Sequence, residues 1–200
     1  MTGSLVASHH QVSPLLSGNA QRAKLLEAMT QLVAEKGYEA ATVTDAVKLA
    51  RVSRGTFYEL FESKQACLVA AYELGIDVLE QRIAEGVHGA PDWLTELRLG
   101  LRAYLTALST EPLFARIHLL NWQLLGADRD RATERFVRRY AKTFARSGRP
   151  VPPDDALFAL SAGVDQLVRA RMRAGEDIVK LEDTLVAYAA RLIGEETPWT

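Results

Sequence analysis

The side chains best suited to contact another molecule stand together at the start of one short helical segment. Residues 53–61 read SRGTFYELF, and Ser53 has the side chain of a helix N-cap. Phe57 and Phe61 lie four residues apart on one face of that helix, so we expect both to be buried. Because each residue turns the helix by about 100°, Tyr58 should point outward together with the first turn.

The outward face of this segment has the chemistry of a DNA-reading surface. Arg54, Gly55 and Thr56 stand on it beside Tyr58. Arginine and threonine side chains can bond base edges in the major groove, and a tyrosine hydroxyl can reach a phosphate. A glycine permits close approach of the backbone, and the helix N-terminus itself attracts anions. The residues therefore predict contact with double-stranded DNA.

Two helices are predicted to position this face. An apolar pattern at spacings of three and four covers residues 19–36 and stops before Gly37, a residue suited to a left-handed C-cap. Thr42 and Asp45 then form a threonine–x–x–acid capping box that opens a second helix. So few residues separate the second helix from Ser53 that the two helices must cross steeply, as in a helix-turn-helix.

Residues from about Arg22 to Tyr72 resemble the DNA-binding region of the tetracycline-repressor (TetR) family of bacterial transcriptional regulators. Four elements carry the resemblance in order: GY after the first helix, TVTD opening the second, VSRGTFYELF across the third and SKQACLVAAY opening the fourth. The resemblance implies a dimeric, repressor-like protein whose third helix enters the major groove. It implies base contacts by Arg54, Gly55 and Thr56, and phosphate contacts by Thr42, Thr44, Ser53, Tyr58 and Lys64.

Several of these residues have a simpler alternative role. Thr42 and Ser53 can serve only as N-caps, and Tyr58 can be a half-exposed surface aromatic. Lys64 stands at the start of a helix, where its charge opposes the helix dipole at a cost of about 0.3–1 kcal/mol. A phosphate partner would explain the lysine, although a solvated side chain is the alternative.

Two residues depart from the pattern. Arg51 occupies the turn in which the family usually has glycine, and a left-handed conformation costs a non-glycine residue about 1–2 kcal/mol. Either the turn is adjusted or Arg51 gains a phosphate contact. Glu59 would be repelled by phosphates, so we expect it to pair with Arg54 or Lys64, with readout of a cytosine as the alternative.

The rest of the chain predicts only helices, so the fold class is all-α. Helical patterns cover residues of about 65–84, 92–109, 112–126, 127–147, 154–174 and 178–194, separated by breaks such as SGRPVPPDD. We expect a flexible arm at residues 1–18, a three-helix DNA-binding module at 19–64 and a helical bundle at 65–200. The resemblance implies that the bundle binds a small molecule and forms the dimer.

Aromatic and polar residues of the bundle are candidates for that ligand pocket. The segment LFARIHLLNWQLLGAD is apolar on nearly every side, so its polar members need partners. One interpretation places an apolar or aromatic ligand among Trp93, Tyr104, His118, Asn121, Trp122 and Phe144. The alternative is an ordinary core, in which the aromatic rings pack and His118 bonds a neighbouring side chain.

Three further predictions concern the second half of the bundle. Apolar stripes run through residues 154–194, and they suit either an internal core or a four-helix dimer contact. Asp165 and Arg169, four residues apart, are expected to form a local ion pair. A solvated face is expected for seven basic residues, with an anionic ligand or acyl-CoA phosphate as the alternative: Arg129, Arg131, Arg135, Arg138, Arg139, Lys142 and Arg146. The stripes consist of Leu157, Leu160, Val164, Leu167, Val168, Leu181, Leu185, Tyr188 and Leu192.

Composition limits the remaining choices. The formal net charge of −1 gives no overall attraction to a polyanion, so any DNA site must be local. A single cysteine, Cys67, and the lack of a signal-peptide pattern predict a cytoplasmic protein, and no apolar stretch approaches the length of a membrane span. No catalytic, cofactor or metal-binding motif is present, which argues against an enzyme.

Two functions remain. The first is a repressor that binds an inverted-repeat operator as a homodimer and is released by a small molecule. The alternative is a dimeric DNA-binding protein without a small-molecule effector.

Overall fold

The computed structural model describes residues 20–120 and 125–194, and over these residues the chain is helical with no strand, which confirms the all-α prediction. The predicted arm at residues 1–18 lies outside the described residues. The helices are α1 (Ala20–Lys36), α2 (Val43–Ala50), α3 (Arg54–Leu60), α4 (Lys64–Gly86), α5 (Trp93–Thr110), α6 (Pro112–Leu120), α7 (Gly126–Arg146), α8 (Asp154–Arg173) and α9 (Glu182–Ile193).

The described residues form two compact units. The first contains the described parts of residues 1–78 and 110–125, and the second contains those of residues 79–109 and 126–200. Helix α4 begins in the first unit and ends in the second. The division after residue 64, which assigns separate functions to the two parts of the chain, stays a prediction.

In the first unit, α1 packs against α2, α3 and α6. Leu25, Leu26, Met29 and Phe57 have no exposed surface, and each such side chain contributes about 1.5–3 kcal/mol through burial. An ion pair at 2.7 Å between Lys36 Nζ and Asp45 Oδ2 joins α1 to α2 at the surface. These buried apolar side chains therefore fix how the helices of the first unit pack against one another.

In the second unit, α7 packs against α8, and α8 packs against α9. The apolar stripes predicted at residues 154–194 belong largely to this internal core, because Leu157, Leu160, Val168 and Leu185 have no exposed surface. The last predicted helix begins differently from expected: residues Ile178–Leu181 form a 3₁₀ turn, after which α9 starts at Glu182. None of the helices in the described ranges is both long and apolar enough to cross a membrane.

Some large apolar side chains of the second unit point outward. Phe158 on α8 is 49% exposed, and Tyr188 on α9 is 38% exposed. The two helices meet closely near these residues, since the Tyr188 hydroxyl lies 3.4 Å from the carbonyl oxygen of Ala159. Each of the two helices thus carries an exposed aromatic ring, and Tyr188 is a member of the predicted stripe that is not buried.

Candidate DNA interface and ligand cavity

Helix α3 presents the predicted reading face to solvent. Ser53 caps the helix, because its Oγ accepts a hydrogen bond of 2.9 Å from the backbone N–H of Thr56. Phe57 is fully buried, whereas Tyr58 is 49% exposed. The Arg54 guanidinium lies 5.7 Å from the centroid of the Tyr58 ring. The predicted orientation of this helix is therefore confirmed, and Arg54, Gly55 and Tyr58 are all exposed.

The start of α2 is fixed by the predicted capping box. Thr42 Oγ1 accepts a hydrogen bond of 3.1 Å from the backbone N–H of Asp45 and donates one of 2.7 Å to the Asp45 carboxylate. Hydrogen bonds from Lys36 and then Thr42 lower the pKa of Asp45. Thr42 and Thr44 are both exposed residues, although Thr42 also serves as the N-cap.

Lys64 has partners inside the protein. Its Nζ donates hydrogen bonds of 2.7 Å to the Tyr38 carbonyl and 2.9 Å to the Ala41 carbonyl, and it lies 3.9 Å from the centroid of the Tyr38 ring. These groups balance the charge that stands at the start of α4. The helix dipole therefore gives no reason to require a phosphate, and the phosphate role of Lys64 stays a prediction without that support.

Both unusual residues of the reading region are exposed. Arg51 keeps the left-handed conformation, with φ 55° and ψ 45°, so the turn has not been adjusted to avoid it. No other non-glycine residue in the described ranges has a positive φ. The intramolecular pair expected for Glu59 is wrong for the described residues, because Arg54 lies over Tyr58, Lys64 binds carbonyl groups and Glu59 makes no ion pair with either.

An apolar cavity of about 50 Å³ lies in the second unit. Three of the predicted ligand residues, Trp93, Tyr104 and Phe144, line it together. The rings of Trp93 and Phe144 have centroids 5.5 Å apart. Residues from α4, α5, α7 and α8 complete the wall, among them Ile83, Val87, Leu97, Leu101, Phe136, Tyr140, Ser161 and Val164.

His118 does not line this cavity, and its assignment to the ligand pocket is corrected. It belongs to the first unit, where its ring stacks between Tyr72 and Phe114 at centroid distances of 5.9 Å and 5.5 Å, and it is 2% exposed. The reason is that α6 packs against α1, which turns its apolar face into that core. Asn121 and Trp122, predicted beside His118, lie outside the described residues.

A buried polar cluster borders the apolar cavity. The Tyr104 hydroxyl donates to Asp165 Oδ1 at 2.7 Å, and Arg129 Nη2 bonds Asp165 Oδ2 at 3.1 Å. The hydrogen bonds of Asp165 thus reach two other helices, and the local ion pair expected with Arg169 stays a prediction. Burial, followed by the nearby Asp165 carboxylate, raises the pKa of Tyr104 well above its usual range and the pKa of Tyr140 to about 12.

A second cavity of about 550 Å³ in the same unit has five basic residues in its wall and two carboxylates, Glu80 and Glu96, which pair with Arg135 and Arg146. Glu96 and Arg139 line both cavities, so the two adjoin. Helix α7 supplies the positive charge with Arg135, Arg138, Arg139, Lys142 and Arg146.

The prediction that the basic residues of α7 form a solvated face is therefore wrong for part of the helix. The Arg135 guanidinium bonds Glu80, with Nε 2.9 Å from Oε1, and the Arg129 side chain is only 16% exposed. Arg139 is half-buried and makes no ion pair or side-chain hydrogen bond with the described residues. Burial lowers the pKa of its guanidinium, so a ligand anion would relieve an unfavourable desolvation.

Sequence reasoning missed Tyr140 and Ser161 as cavity residues. One signal was available, because Phe136, Tyr140 and Phe144 are spaced four apart and so share a face of α7. No local pattern marked Ser161, since its place in the wall depends on the packing of α8 against α7.

Comparison with known proteins supports the interpretation of the first unit. Residues 25–71 match the model of the bacterial regulatory proteins of the tetR family. The uncharacterized HTH-type transcriptional regulator YvdT of Bacillus subtilis (strain 168) is 36% identical over 74 residues, which are 37% of this chain and 38% of that protein. The match therefore spans well under half of this relative's length.

Solved structures of similar fold cover more of the chain. The fatty acid degradation regulator FadR from Bacillus halodurans has a TM-score of 0.75 at 18% identity, over 90% of this chain and 98% of its own. The transcriptional regulator FadR from Bacillus subtilis, in complex with stearoyl-CoA, has a TM-score of 0.73 at 16% identity, over 86% and 97%. These likenesses concern the fold. The relatives are regulators of transcription, not enzymes.

Proposed function

We propose that this chain is a regulator of the tetR family, whose model residues 25–71 match, and that it binds an operator through α2 and α3. It leaves the operator when a small-molecule effector occupies the second unit. The family assignment and a role in regulating transcription follow from the match in the first unit. The operator contacts, the direction of regulation and the effector are proposals. The protein would act in the cytoplasm, where the DNA is.

One observation carries the DNA contact. Helix α3 buries Phe57 and leaves Arg54, Gly55 and Tyr58 exposed at its N-terminal end. Arginine and tyrosine at a helix N-terminus suit the base edges and phosphates of a major groove. In this proposal Arg54, Gly55 and Thr56 face base edges, while phosphates are held by Thr42, Thr44, Ser53, Tyr58 and Lys64.

Dimerisation through residues 154–194 would place two such faces on an inverted repeat. The exposed rings of Phe158 and Tyr188 supply apolar groups on the surfaces of α8 and α9. An interface between identical surfaces needs apolar groups of this kind at its centre. We therefore assign the contact to the outward faces of these helices, with the buried stripe residues forming the core beneath.

The two adjoining cavities support an effector with an apolar part and an anionic part. The apolar cavity would take the first, and the basic cavity would take the second, with Arg139 at the junction. An acyl thioester of coenzyme A has both parts, and the FadR of similar fold from Bacillus subtilis is described with stearoyl-CoA. We propose this ligand class for the chain, in place of the purely apolar or aromatic effector expected from the sequence.

A selection of bound duplexes from a randomised DNA pool tests the operator proposal. Sequencing should return an inverted repeat, because a two-fold dimer reads two half-sites. In binding assays on the selected duplex, Tyr58→Phe should weaken binding to all sequences and flatten the salt slope by about one unit, since one phosphate contact is lost. Thr56→Ala should instead relax the preference at one position in each half-site.

Two results would contradict this proposal. If no duplex sequence is enriched at low salt, the proposal that the protein reads an operator sequence is contradicted. Uniform effects of Thr56→Ala and Tyr58→Phe would remove Thr56 as a base reader. The alternative, a DNA-binding protein without an effector, predicts an enriched inverted repeat that no acyl-CoA releases.

A further inference from the structure

We propose that the end of the effector buried in the apolar cavity is short and carries a hydroxyl or similar hydrogen-bonding group, which Tyr140 and Ser161 hold. This inference rests on the proposed function, because it takes the second unit as the effector site. It restricts the acyl-CoA class to thioesters with a short, polar-ended acyl group.

Two hydroxyl groups in the cavity wall are available to such a ligand. Ser161 is 8% exposed and lines the cavity, and its hydroxyl makes no hydrogen bond with the described residues. Tyr140 also lines the cavity, half-buried, and its hydroxyl likewise has no hydrogen-bond partner in the described ranges. Neither hydroxyl is held by the described part of the protein, so both can form a hydrogen bond with a polar group of a ligand in the cavity.

Tyr140 is held in its protonated form by burial and by the neighbouring Asp165 carboxylate. Asp165 is already bonded by Tyr104 at 2.7 Å and by Arg129 at 3.1 Å, so its carboxylate is oriented within the wall. Burial and the Asp165 carboxylate raise the pKa of Tyr140 to about 12. Tyr140 therefore stays protonated near neutral pH and can donate a hydrogen bond to a ligand oxygen.

These polar groups line the apolar cavity and not the basic one. Glu96 and Arg139 line both cavities, whereas Tyr140, Ser161 and Asp165 line only the apolar one. A ligand with its anionic part in the basic cavity would thus bring its other end to the cluster.

The sizes of the cavities favour a large anionic head and a short buried end. The basic cavity measures about 550 Å³, and the apolar one measures about 50 Å³. One water-sized group needs roughly 10–15 Å³ of such space, so the apolar cavity has room for only a few heavy atoms. A long alkyl chain would have to displace close-packed side chains.

Calorimetric titration of the full chain with three thioesters tests the inference: butyryl-CoA, 4-hydroxybutyryl-CoA and stearoyl-CoA. The hydroxylated compound should bind the unaltered protein roughly fivefold or more tightly than butyryl-CoA, since it gains a buried hydrogen bond. Tyr140→Phe and Ser161→Ala should reduce this ratio toward one. Tyr38→Phe and Ser109→Ala remove a tyrosine and a serine hydroxyl at positions that line neither cavity, and they should leave the ratio unchanged.

The outcomes separate this inference from the proposal on which it rests. Equal affinity for butyryl-CoA and 4-hydroxybutyryl-CoA, or a ratio that survives both cavity variants, would overturn the polar contact and leave the effector class standing. Tightest binding by stearoyl-CoA would overturn the short buried end in the same way. If no thioester binds, the proposed effector class fails, and this inference fails with it.

Discussion

The reading face of α3 and the cavity of the second unit are built in opposite ways. The reading face comes from a few consecutive residues, and its functional side chains are exposed with few partners. The cavity joins four helices, and many of its polar residues hold one another, as Asp165 holds Tyr104 and Arg129. Substitutions on the reading face should therefore change DNA binding and leave stability alone. Substitutions in the cavity wall should change both stability and ligand binding.

The largest expected effect comes from the buried polar cluster that borders the apolar cavity. Arg129→Ala removes a partner of the mostly buried Asp165, whose side chain is 14% exposed, and should lower the free energy of unfolding by about 3 kcal/mol. Arg131→Ala is the matched control on the same helix, because its ion pair with Asp128 leaves the arginine 59% exposed and should contribute about 0–1 kcal/mol. Urea denaturation measures both. Equal losses would contradict the contrast between wall and surface.

Substitution of Lys64 tests whether this residue contacts DNA or only stabilises the first unit. Because its Nζ bonds the Tyr38 and Ala41 carbonyls, Lys64→Ala should cost about 1–2 kcal/mol of stability. Lys48→Ala, at an exposed position of α2, should cost almost nothing. Thermal unfolding gives the stabilities, and the salt dependence of DNA binding gives the contacts. A flattened salt slope would support the phosphate contact of Lys64, and an unchanged stability would contradict the role of its carbonyl contacts.

Arg51 is the one place where the reading region stores backbone strain. Arg51→Gly relieves a left-handed residue at φ 55°, and after the entropy cost of glycine it should raise stability by about 0.5–1 kcal/mol. Gly37→Ala, at φ 83°, is the reverse change and should lower stability by about 1 kcal/mol. If Arg51 also meets a phosphate, its variant should bind DNA less tightly while melting at a higher temperature. Lower stability of Arg51→Gly would show that the turn is not strained.

The smallest expected effect is a pH dependence in the second unit. Hydrogen bonds from Arg102 and Arg98 lower the pKa of Glu182 below its unfolded value. A lowered folded-state pKa stabilises the protein above the unfolded pKa, and this stability is lost as the pH falls through the folded pKa. Glu182→Gln should therefore flatten the acid side of the stability profile below about pH 4.5. An unchanged profile in thermal melts would remove this ion pair as the cause.

Local chemistry explains which features were predictable from the sequence. The caps at Thr42 and Ser53, the left-handed Gly37 and the burial of Phe57 each depend on residues within one helical turn. The carbonyl partners of Lys64 were not predictable in this way, because they lie 23 and 26 residues away in the chain.

The cavity was only partly predictable for the same reason. Trp93 and Phe144 were found as large aromatic residues, but their meeting depends on the packing of α5 and α7. His118 shows the limit: its apolar helix predicted a central position, yet nothing local showed that α6 would pack against α1. Contacts between distant helices decide such sites, and residue spacing along one helix does not report them.

The central claim is that DNA binding and effector binding are coupled although they use different parts of the chain. Fluorescence anisotropy of a labelled operator duplex, saturated with protein and titrated with 4-hydroxybutyryl-CoA, measures this coupling directly. An effector that prefers the conformation with low DNA affinity should return the anisotropy to that of free DNA, at higher thioester concentrations for Arg139→Gln than for the unaltered protein. Anisotropy that stays at the bound value after calorimetry shows the cavity to be filled would contradict the claim.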